Sequence, residues 1–223
     1  FSARGYDVKD NPILISFTWA VTDPEAQISQ QSGLFTPKNV GTFKVFANYT
    51  DQKTRADWSA EATIRVLLGR VYSLEITTQD NLKAITVEQK LQLYAKAYDV
   101  KGNEYGAGDW TPTWQVDDPD GSVSSTGLFT PGPSSIGIWT ITCTDTATNI
   151  FNTTSVGVNF GQLSNIVISP SGATVAADKT LQLTATGYDT MNNSQDITHE
   201  VAWYVPNGTI ENGLFSPYAV GEY

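Results

Sequence analysis

The sequence predicts an all-β protein built from tandem two-sheet sandwiches, and three observations lead to this prediction. Apolar residues recur at alternate positions within short segments, as expected for strands that are buried on one face. Gly, Pro, Asn and Asp separate these segments and favour turns. The same order of motifs then recurs three times within 223 residues, which indicates repeated structural units. No segment keeps a helical period over three turns, so we expect no helical core.

Three motifs mark the repeats and set a unit of roughly 90 residues. Tyr-Asp occurs at 6/7, 98/99 and 188/189, and Gly-Leu-Phe-(Thr/Ser)-Pro occurs at 33–37, 127–131 and 213–217. A Trp lies between these two motifs in each copy, and we expect it to anchor the core: Trp19, Trp114 and Trp203. The predicted domains are therefore copy one (1–69), copy two (70–161) and copy three (162–223).

Aligning the copies predicts that only copy two is complete. Tyr6 matches Tyr188, so Phe1 matches Leu183 and copy one lacks its opening strand. Gly221 matches the glycine that begins a late strand in the other copies, so copy three lacks its closing strands. The chain is then either a segment of a longer array or a molecule whose open sheet edges accept a strand from another chain.

Each copy is expected to contain the same strands in the same order. An early strand places Leu91, Leu93, Ala95 and Ala97 on one face, and copy three repeats it from Leu181. The Trp strand follows, with inward residues at Ile15, Phe17, Trp19 and Val21 in copy one, at 110, 112, 114 and 116 in copy two, and at 201, 203 and 205 in copy three. A late strand comes after the Gly-Leu-Phe motif, and in it Cys143 occupies the position of Ala47. We therefore expect Cys143 to be a small core residue.

Copy three carries a resemblance to a known family. It reads Ile166-Val-Ile-Ser-Pro, then Thr180-Leu-Gln-Leu-Thr-Ala-Thr-Gly-Tyr-Asp, then Asp196-Ile-Thr-His-Glu-Val-Ala-Trp, then Gly213-Leu-Phe. This order resembles the bacterial immunoglobulin-like family 2 domains (BIG2), and the likeness extends over the chain in three registers. The resemblance implies tandem immunoglobulin-like β-sandwiches, the outer two incomplete, in a prokaryotic adhesin, S-layer or other surface protein. It also implies an extracellular location, at the cell surface or secreted.

Composition excludes several classes of function. The formal net charge is −10 and the pI is about 4.4, which disfavours nucleic acid and anionic lipid as partners. One Cys, one His and one Met leave little for metal, thiol or acid/base chemistry, and His199 is expected to be structural. The sequence therefore predicts no enzyme and no cofactor. No apolar stretch reaches the length of about 20 residues that a bilayer requires, so no membrane insertion is expected.

Two sets of residues are candidate sites. The acidic turn at Asp117, Asp118 and Asp120 offers carboxylate oxygens to Ca²⁺, although a solvated turn is the simpler interpretation. Asn-x-Ser/Thr sequences make four asparagines candidates for glycosylation: Asn48, Asn152, Asn192 and Asn207.

The sequence favours a non-enzymatic extracellular structural protein, a component of a surface array, a filament or an adhesin stalk. Self-association or neighbouring copies would then be its partners. Short connections with few Gly or Ser residues, at 67–72 and 160–164, indicate stiff junctions. Two alternatives stay open: spacer modules of a secreted carbohydrate-active enzyme, and a glycan-binding module using Trp58, Tyr105 and Tyr204.

Overall fold

The computed structural model describes residues 1–221. Apart from one turn of 3-10 helix at Gln79–Asn81, every regular element in that range is a strand, which confirms the predicted all-β class. No helix in this range is long and apolar enough to cross a membrane.

The strands lie in three groups along the sequence. The first seven are Gly5–Tyr6 (β1), Pro12–Ile13 (β2), Thr18–Val21 (β3), Gln27–Ile28 (β4), Phe35–Thr36 (β5), Gly41–Thr50 (β6) and Asp57–Val66 (β7). The next eight are Val71–Thr78 (β8), Ala84–Thr86 (β9), Leu91–Asp99 (β10), Thr113–Val116 (β11), Ser122–Val123 (β12), Leu128–Thr130 (β13), Gly137–Asp145 (β14) and Ile150–Asn159 (β15). The last six are Leu163–Ser169 (β16), Leu181–Gln182 (β17), Thr184–Asp189 (β18), Ser194–Asp196 (β19), Gly208–Glu211 (β20) and Leu214–Pro217 (β21).

The chain divides into two compact units. The first comprises Phe1–Glu75, Lys96–Thr111 and Asp145–Ile150, and the second comprises Ile76–Ala95, Pro112–Thr144 and Phe151–Tyr223. The boundaries predicted after residues 69 and 161 separate the sequence repeats, and they differ from the limits of these compact units. They stay predictions.

The first unit contains a three-stranded sheet in the order β3-β6-β7 and two hairpins, β1-β2 and β4-β5. β6 pairs with β7 along its whole length, from Gly41 opposite Val66 to Thr50 opposite Asp57. Trp19 in β3 lies opposite Ala47 in β6, and the side chains of Val45 and Ala47 are buried. The alternation predicted for this strand is confirmed, since Trp19 and Val21 are half-buried while Thr18 and Ala20 are exposed.

The second unit holds a cluster of buried hydrophobic residues. One sheet runs β12-β13-β10-β8 and another runs β11-β14-β15-β9, in which β9 pairs parallel to β15. The buried core residues come from both sheets and from the segment after β9: Ile85, Val87, Leu91, Leu93, Phe129, Ile141, Val156 and Val158. Trp114 packs against this cluster from the edge strand β11. The two-sheet sandwich predicted from the alternation is thus the observed fold.

Cys143 is a core residue, as predicted. It lies opposite Trp114, which is the register that Ala47 takes opposite Trp19. It is a free cysteine with 0% of its surface exposed, and burial raises the pKa of its thiol to about 11. The neutral thiol therefore packs as a small apolar group.

Copy three corrects one expectation. Its strands form two sheets, β16-β18-β19 and β17-β21-β20. Residues 201–205 alternate in burial as predicted, with Trp203 half-buried, but they are not in a strand. In the other two copies the Trp strand pairs with the strand that begins at Gly41 or Gly137. The matching strand would begin at Gly221, and the residues after it lie outside the described range.

The glycine of the Gly-Leu-Phe motif is required by its surroundings. Gly127 has φ +83°, and a Cβ there would lie 2.5 Å from the carbonyl oxygen of Leu93. Its own carbonyl accepts the Leu93 N–H at 2.8 Å, and Gly213 accepts the Leu183 N–H at the same distance. In copy one the amino group of Phe1 donates to the Gly33 carbonyl at 2.8 Å. The predicted match of Phe1 with Leu183 is therefore confirmed.

Candidate functional site

An asparagine follows the Tyr-Asp pair in every copy and closes a tight turn with it. The sequence Tyr-Asp-x-x-x-Asn occurs at 6–11, 98–103 and 188–193, and we call each of these segments an Asp-Asn turn. In copy three, Asp189 Oδ1 accepts the backbone N–H groups of Met191 and Asn193, both at 2.9 Å. Asn193 Nδ2 donates to Oδ1 at 3.2 Å and to Oδ2 at 2.9 Å. Such Asp-to-backbone bonds hold the chain in a turn.

The other two turns have the same internal bonds. Asp99 Oδ1 accepts the N–H groups of Lys101 and Asn103 at 2.8 and 3.0 Å, and Asn103 Nδ2 donates to both carboxylate oxygens. Asp7 Oδ1 accepts the corresponding N–H groups at 2.8 and 2.9 Å. The residue before each asparagine has positive φ: Asp10 at 61°, Gly102 at 83° and Asn192 at 67°. Asp, Asn and Gly are the residues that adopt this conformation most readily.

Two of the turns also bind the linker that precedes their own copy. The Gly69 N–H donates to Asp99 Oδ2 at 3.3 Å, and the Gly161 N–H donates to Asp189 Oδ2 at 3.1 Å. The first of these junctions lies wholly within the first unit and the second lies wholly within the second unit.

The same two turns reach back to the preceding copy. Asn103 Nδ2 donates to the Lys38 carbonyl at 3.1 Å, and Asn193 Nδ2 donates to the Pro133 carbonyl at 2.8 Å. Lys38 is the first residue after the proline of the preceding Gly-Leu-Phe-Thr-Pro motif, and Pro133 is the second. Each of these two Asp-Asn turns thus joins three segments: its own copy, the linker and the copy before it.

Each junction has one further fastening, and the two differ. At the first, the Tyr105 hydroxyl donates to the Gly69 carbonyl at 2.5 Å. At the second, Glu88 Oε1 accepts the Gln162 N–H at 2.8 Å and also the hydroxyl of Thr190. A side chain at Gly161 would overlap the Glu88 carboxylate, so the close approach depends on glycine.

The junction carboxylates are held in the ionised form. Burial works to raise the pKa of Asp99 and Asp189, but the hydrogen bonds from the paired asparagine and from backbone N–H groups outweigh it and lower the pKa. Bonds from Thr190 and Gln162 lower the pKa of Glu88. Hydrogen bonds to an ionised acceptor are about twice as strong as neutral ones, so these carboxylates are effective anchors for a linker.

The predicted calcium turn is arranged around hydrogen bonds. Asp117 Oδ1 accepts the Thr140 N–H at 2.6 Å, and Asp118 Oδ1 accepts the Asp120 N–H at 3.0 Å. Within residues 1–221 no group of three or more His, Cys, Asp or Glu side chains could hold a metal ion. Asp117, Asp118 and Asp120 therefore do not supply three side-chain ligands, and the calcium site stays a prediction without structural support.

Asp118 is unusual for a different reason. It is 4% exposed, and within residues 1–221 its Oδ2 has no hydrogen-bond partner. Asp23, in the matching turn of copy one, accepts the N–H groups of Lys38 and Asn39 and the Asn39 side-chain amide. In copy two, Pro133 stands where copy one has Asn39, and proline offers neither a backbone N–H nor a side-chain amide. The Gly132 N–H, at the position of Lys38, donates instead to Ser135 Oγ at 2.8 Å.

The candidate glycosylation sites lie in different environments. Asn152, Asn192 and Asn207 are exposed. Asn48 is half-buried within β6, and its Oδ1 accepts the Ser59 hydroxyl at 2.7 Å. Asn152 Oδ1 accepts the Thr153 N–H at 2.8 Å. Asn48 is thus the one half-buried candidate, and the other three are exposed.

The aromatic candidates also differ. Trp58 and Tyr204 are 67% and 86% exposed, whereas the hydroxyl of Tyr105 is bonded at the first junction. Trp203 is half-buried and its Nε1 donates to the Thr198 carbonyl at 2.8 Å. Trp19, Trp114 and Trp203 are thus packing residues.

The asparagines of the turns are the residues that sequence reasoning missed. The Tyr-Asp pairs marked the repeats, but Asn11, Asn103 and Asn193 stand at one spacing after them. Reading each copy four residues beyond its aspartate would have found the motif.

The comparisons with known proteins add no assignment. No model of a known protein family matches the chain, and no curated protein matches it significantly. The resemblance to bacterial immunoglobulin-like family 2 therefore stays a prediction.

Proposed function

We propose that this chain is a non-enzymatic extracellular structural protein, a component of a prokaryotic cell-surface array, filament or adhesin stalk. The observation that carries the proposal is the hydrogen-bonded linker: Gly69 and Gly161 each donate to the carboxylate of an Asp-Asn turn. Each turn also bonds a carbonyl of the preceding copy. Relative motion is the usual expectation for consecutive domains with a small interface. Hydrogen bonds at both linkers oppose that motion, which suits a load-bearing element.

The composition supports the same proposal. A chain with a formal charge of −10 repels other copies at long range and stays dispersed until short-range contacts form. The single cysteine is free and buried, so the proposed structural role does not depend on a disulfide within the chain. Membership in bacterial immunoglobulin-like family 2 and an S-layer-like role are part of the proposal, as is glycosylation at the exposed Asn152, Asn192 and Asn207. Neither a catalytic activity nor a cofactor is included.

Immunoelectron microscopy of native cells tests this proposal, with an antibody raised to residues 70–160 as the probe. A regular lattice or fibre labelled at a repeating interval would support an array, and single labels on fine stalks would support an adhesin. Label confined to the cell interior would overturn the proposal. Preimmune serum, applied to the same cells, is the matched control.

The exposed rings of Trp58 and Tyr204 support a second candidate, a glycan-binding module, because exposed aromatic rings can stack on sugars. A glycan array probed with residues 1–223 and with the Trp58→Ala and Tyr204→Ala variants tests it. Binding that both variants lose would support this candidate, and an array without any bound glycan would remove it.

A further inference from the structure

We propose that strand β11 of this chain pairs with β11 of a second copy, antiparallel and across a two-fold axis. β11 is an edge strand of the sheet β11-β14-β15-β9, and this edge results from the order of strands within copy two. The backbone groups along a sheet edge can pair with a strand of another chain. The inference rests on the proposed function in one respect, because it names a contact through which copies of the chain would self-associate.

The ladder between β11 and β14 shows which backbone groups of β11 face the open side. The Asp117 N–H donates to the Thr140 carbonyl at 3.1 Å. Hydrogen-bonded and non-hydrogen-bonded residues alternate along an antiparallel ladder, so Gln115 also bonds β14. The N–H and carbonyl groups of Trp114 and Val116 therefore point away from β14, and residues 1–221 contain no hydrogen-bond partner for them.

Copy one closes the corresponding edge with a side chain. The Trp19 N–H donates to Gln30 Oε1 and Gln30 Nε2 donates to the Trp19 carbonyl, both at 2.7 Å. The Gln30 amide thus supplies the two bonds that a neighbouring strand would supply. The residue before it, Ser29, donates its N–H to the leucine of the Gly-Leu-Phe motif, as Ser124 does in copy two. Copy two therefore has Ser125 at this position, and serine has no amide with which to close the edge.

The open edge of β11 is complementary to itself. In an antiparallel pair centred on Gln115, the N–H and carbonyl of Trp114 bond those of Val116 in the second copy, and the reverse bonds form across the axis. Trp114 and Val116 are half-buried on the inner face, and pairing brings each beside the other residue of the second copy. The contact uses the same surface on both chains, so it is isologous and closes at two chains.

This register also keeps like charges apart. Gln115 is exposed and meets Gln115 of the second copy directly across the axis, where two amides can bond one another. Thr113, exposed on the same face, lies opposite Asp117 of the second copy. Side chains directly opposite in an antiparallel pair interact, favourably for opposite charges and unfavourably for like charges. The effect of a new charge on this face therefore depends on its position along β11.

Sedimentation velocity of residues 1–223 tests the proposal, between about 10 μM and about 1 mM protein, the range in which small contacts are populated. We expect a monomer–dimer equilibrium. Gln115→Lys places two cations opposite each other and should weaken the dimer about fivefold. Thr113→Lys places each new cation opposite Asp117 and should strengthen the dimer about fivefold. The two variants are matched controls, since each adds one positive charge at an exposed position of the same strand.

Hydrogen exchange of single amides locates the contact. The amides of Trp114 and Val116 are expected to become protected as the protein concentration rises, whereas that of Gln115, bonded to β14, is protected at every concentration. Three outcomes would overturn the proposal: a monomer at every concentration, an equal effect of Gln115→Lys and Thr113→Lys on the dimer, or a dimer in which the Trp114 amide stays unprotected.

Failure of this pairing and failure of the proposed function are distinguishable. Exchange at the Gly69 and Gly161 amides, measured on the same samples, reports the bonded junctions, which contain no residue of β11. Label in the cell interior would remove the proposed function whether or not the chains pair through β11.

Discussion

Replacing Asn193 by alanine is expected to open the linker between copies two and three. The substitution removes the Nδ2 bonds to Asp189 Oδ1 and Oδ2, at 3.2 and 2.9 Å, and the bond to the Pro133 carbonyl at 2.8 Å. The backbone N–H of residue 193 still donates to Asp189, so the turn itself keeps part of its support.

The magnitude follows from the bonds that remain. Asp189 keeps the N–H groups of Gly161, Met191 and residue 193, so its carboxylate is not left bare. We therefore assign about 1.5 kcal/mol to the lost amide–carboxylate interaction, the low end for a charged acceptor, and about 1 kcal/mol to the lost carbonyl bond. Together they give about 2.5 kcal/mol, or about a 70-fold shift in the opening equilibrium.

Hydrogen–deuterium exchange of single amides is the assay. The N–H groups of Gly161 and Gln162 donate to Asp189 and Glu88, so their exchange reports the opening of this junction rather than global unfolding. Both amides are expected to exchange about 70-fold faster in Asn193→Ala. Asn11→Ala removes the same internal bonds at the turn of copy one, which takes no part in this junction, and it should leave both rates unchanged. A change of less than about threefold in Asn193→Ala would refute the assignment of the linker to this turn.

Three further predictions concern stability and reactivity. Gly127 and Gly102 both have φ +83°, but only Gly127 has a backbone carbonyl within 2.5 Å of a new Cβ, and Gly102 has nothing within 4 Å. In urea denaturation Gly127→Ala should therefore cost about 3 kcal/mol and Gly102→Ala about 1 kcal/mol, and equal costs would contradict the role of that contact. Asp23→Ala should lower the urea midpoint more than Asp118→Ala, because Asp23 accepts four hydrogen bonds and Asp118 accepts one; the reverse order would show that Asp118 has a partner. The Cys143 thiol, with its pKa raised to about 11, should react with a maleimide only after unfolding, so rapid labelling of the native protein would show that the core opens.

The sequence predicted the strands well because alternation and repetition act together. One copy alone leaves the register of a strand open, but three copies with the same anchors fix which residues face inward. The match of Cys143 with Ala47 is an example, since each lies opposite the Trp of its own copy. The match of Phe1 with Leu183 is another, since each donates to the glycine of its Gly-Leu-Phe motif.

The junction could not be predicted in the same way. Alternation reports which face of a strand is buried and carries no information about polar groups in turns. The bond from Asn103 to Lys38 joins residues 65 positions apart, and its acceptor is a peptide carbonyl, which every residue possesses. A main-chain acceptor leaves no signature in the sequence, so the asparagine is the only partner in this bond that the sequence could have identified. The lack of a partner for Asp118 Oδ2 within the described residues could not be predicted either, because two of the three donors that Asp23 receives from residues 38 and 39 are peptide N–H groups.

Recognition of the backbone has a consequence for how such arrays change. At each junction the Asp-Asn turn binds a glycine N–H and a peptide carbonyl, and neither depends on the side chain of the acceptor residue. Copy one offers Lys38 and copy two offers Pro133, and both are accepted. Side chains on the acceptor loop can therefore vary while the junction persists, provided that the loop keeps its path. The variation has a local cost, because Pro133 cannot supply the two donors that Asn39 gives to Asp23 in copy one. In the described part of the chain, Asp118 Oδ2 has no partner. The bond to the carbonyl can therefore survive a change of the acceptor residue, whereas the bonds of Tyr105 at the first junction and of Glu88 at the second depend on those side chains.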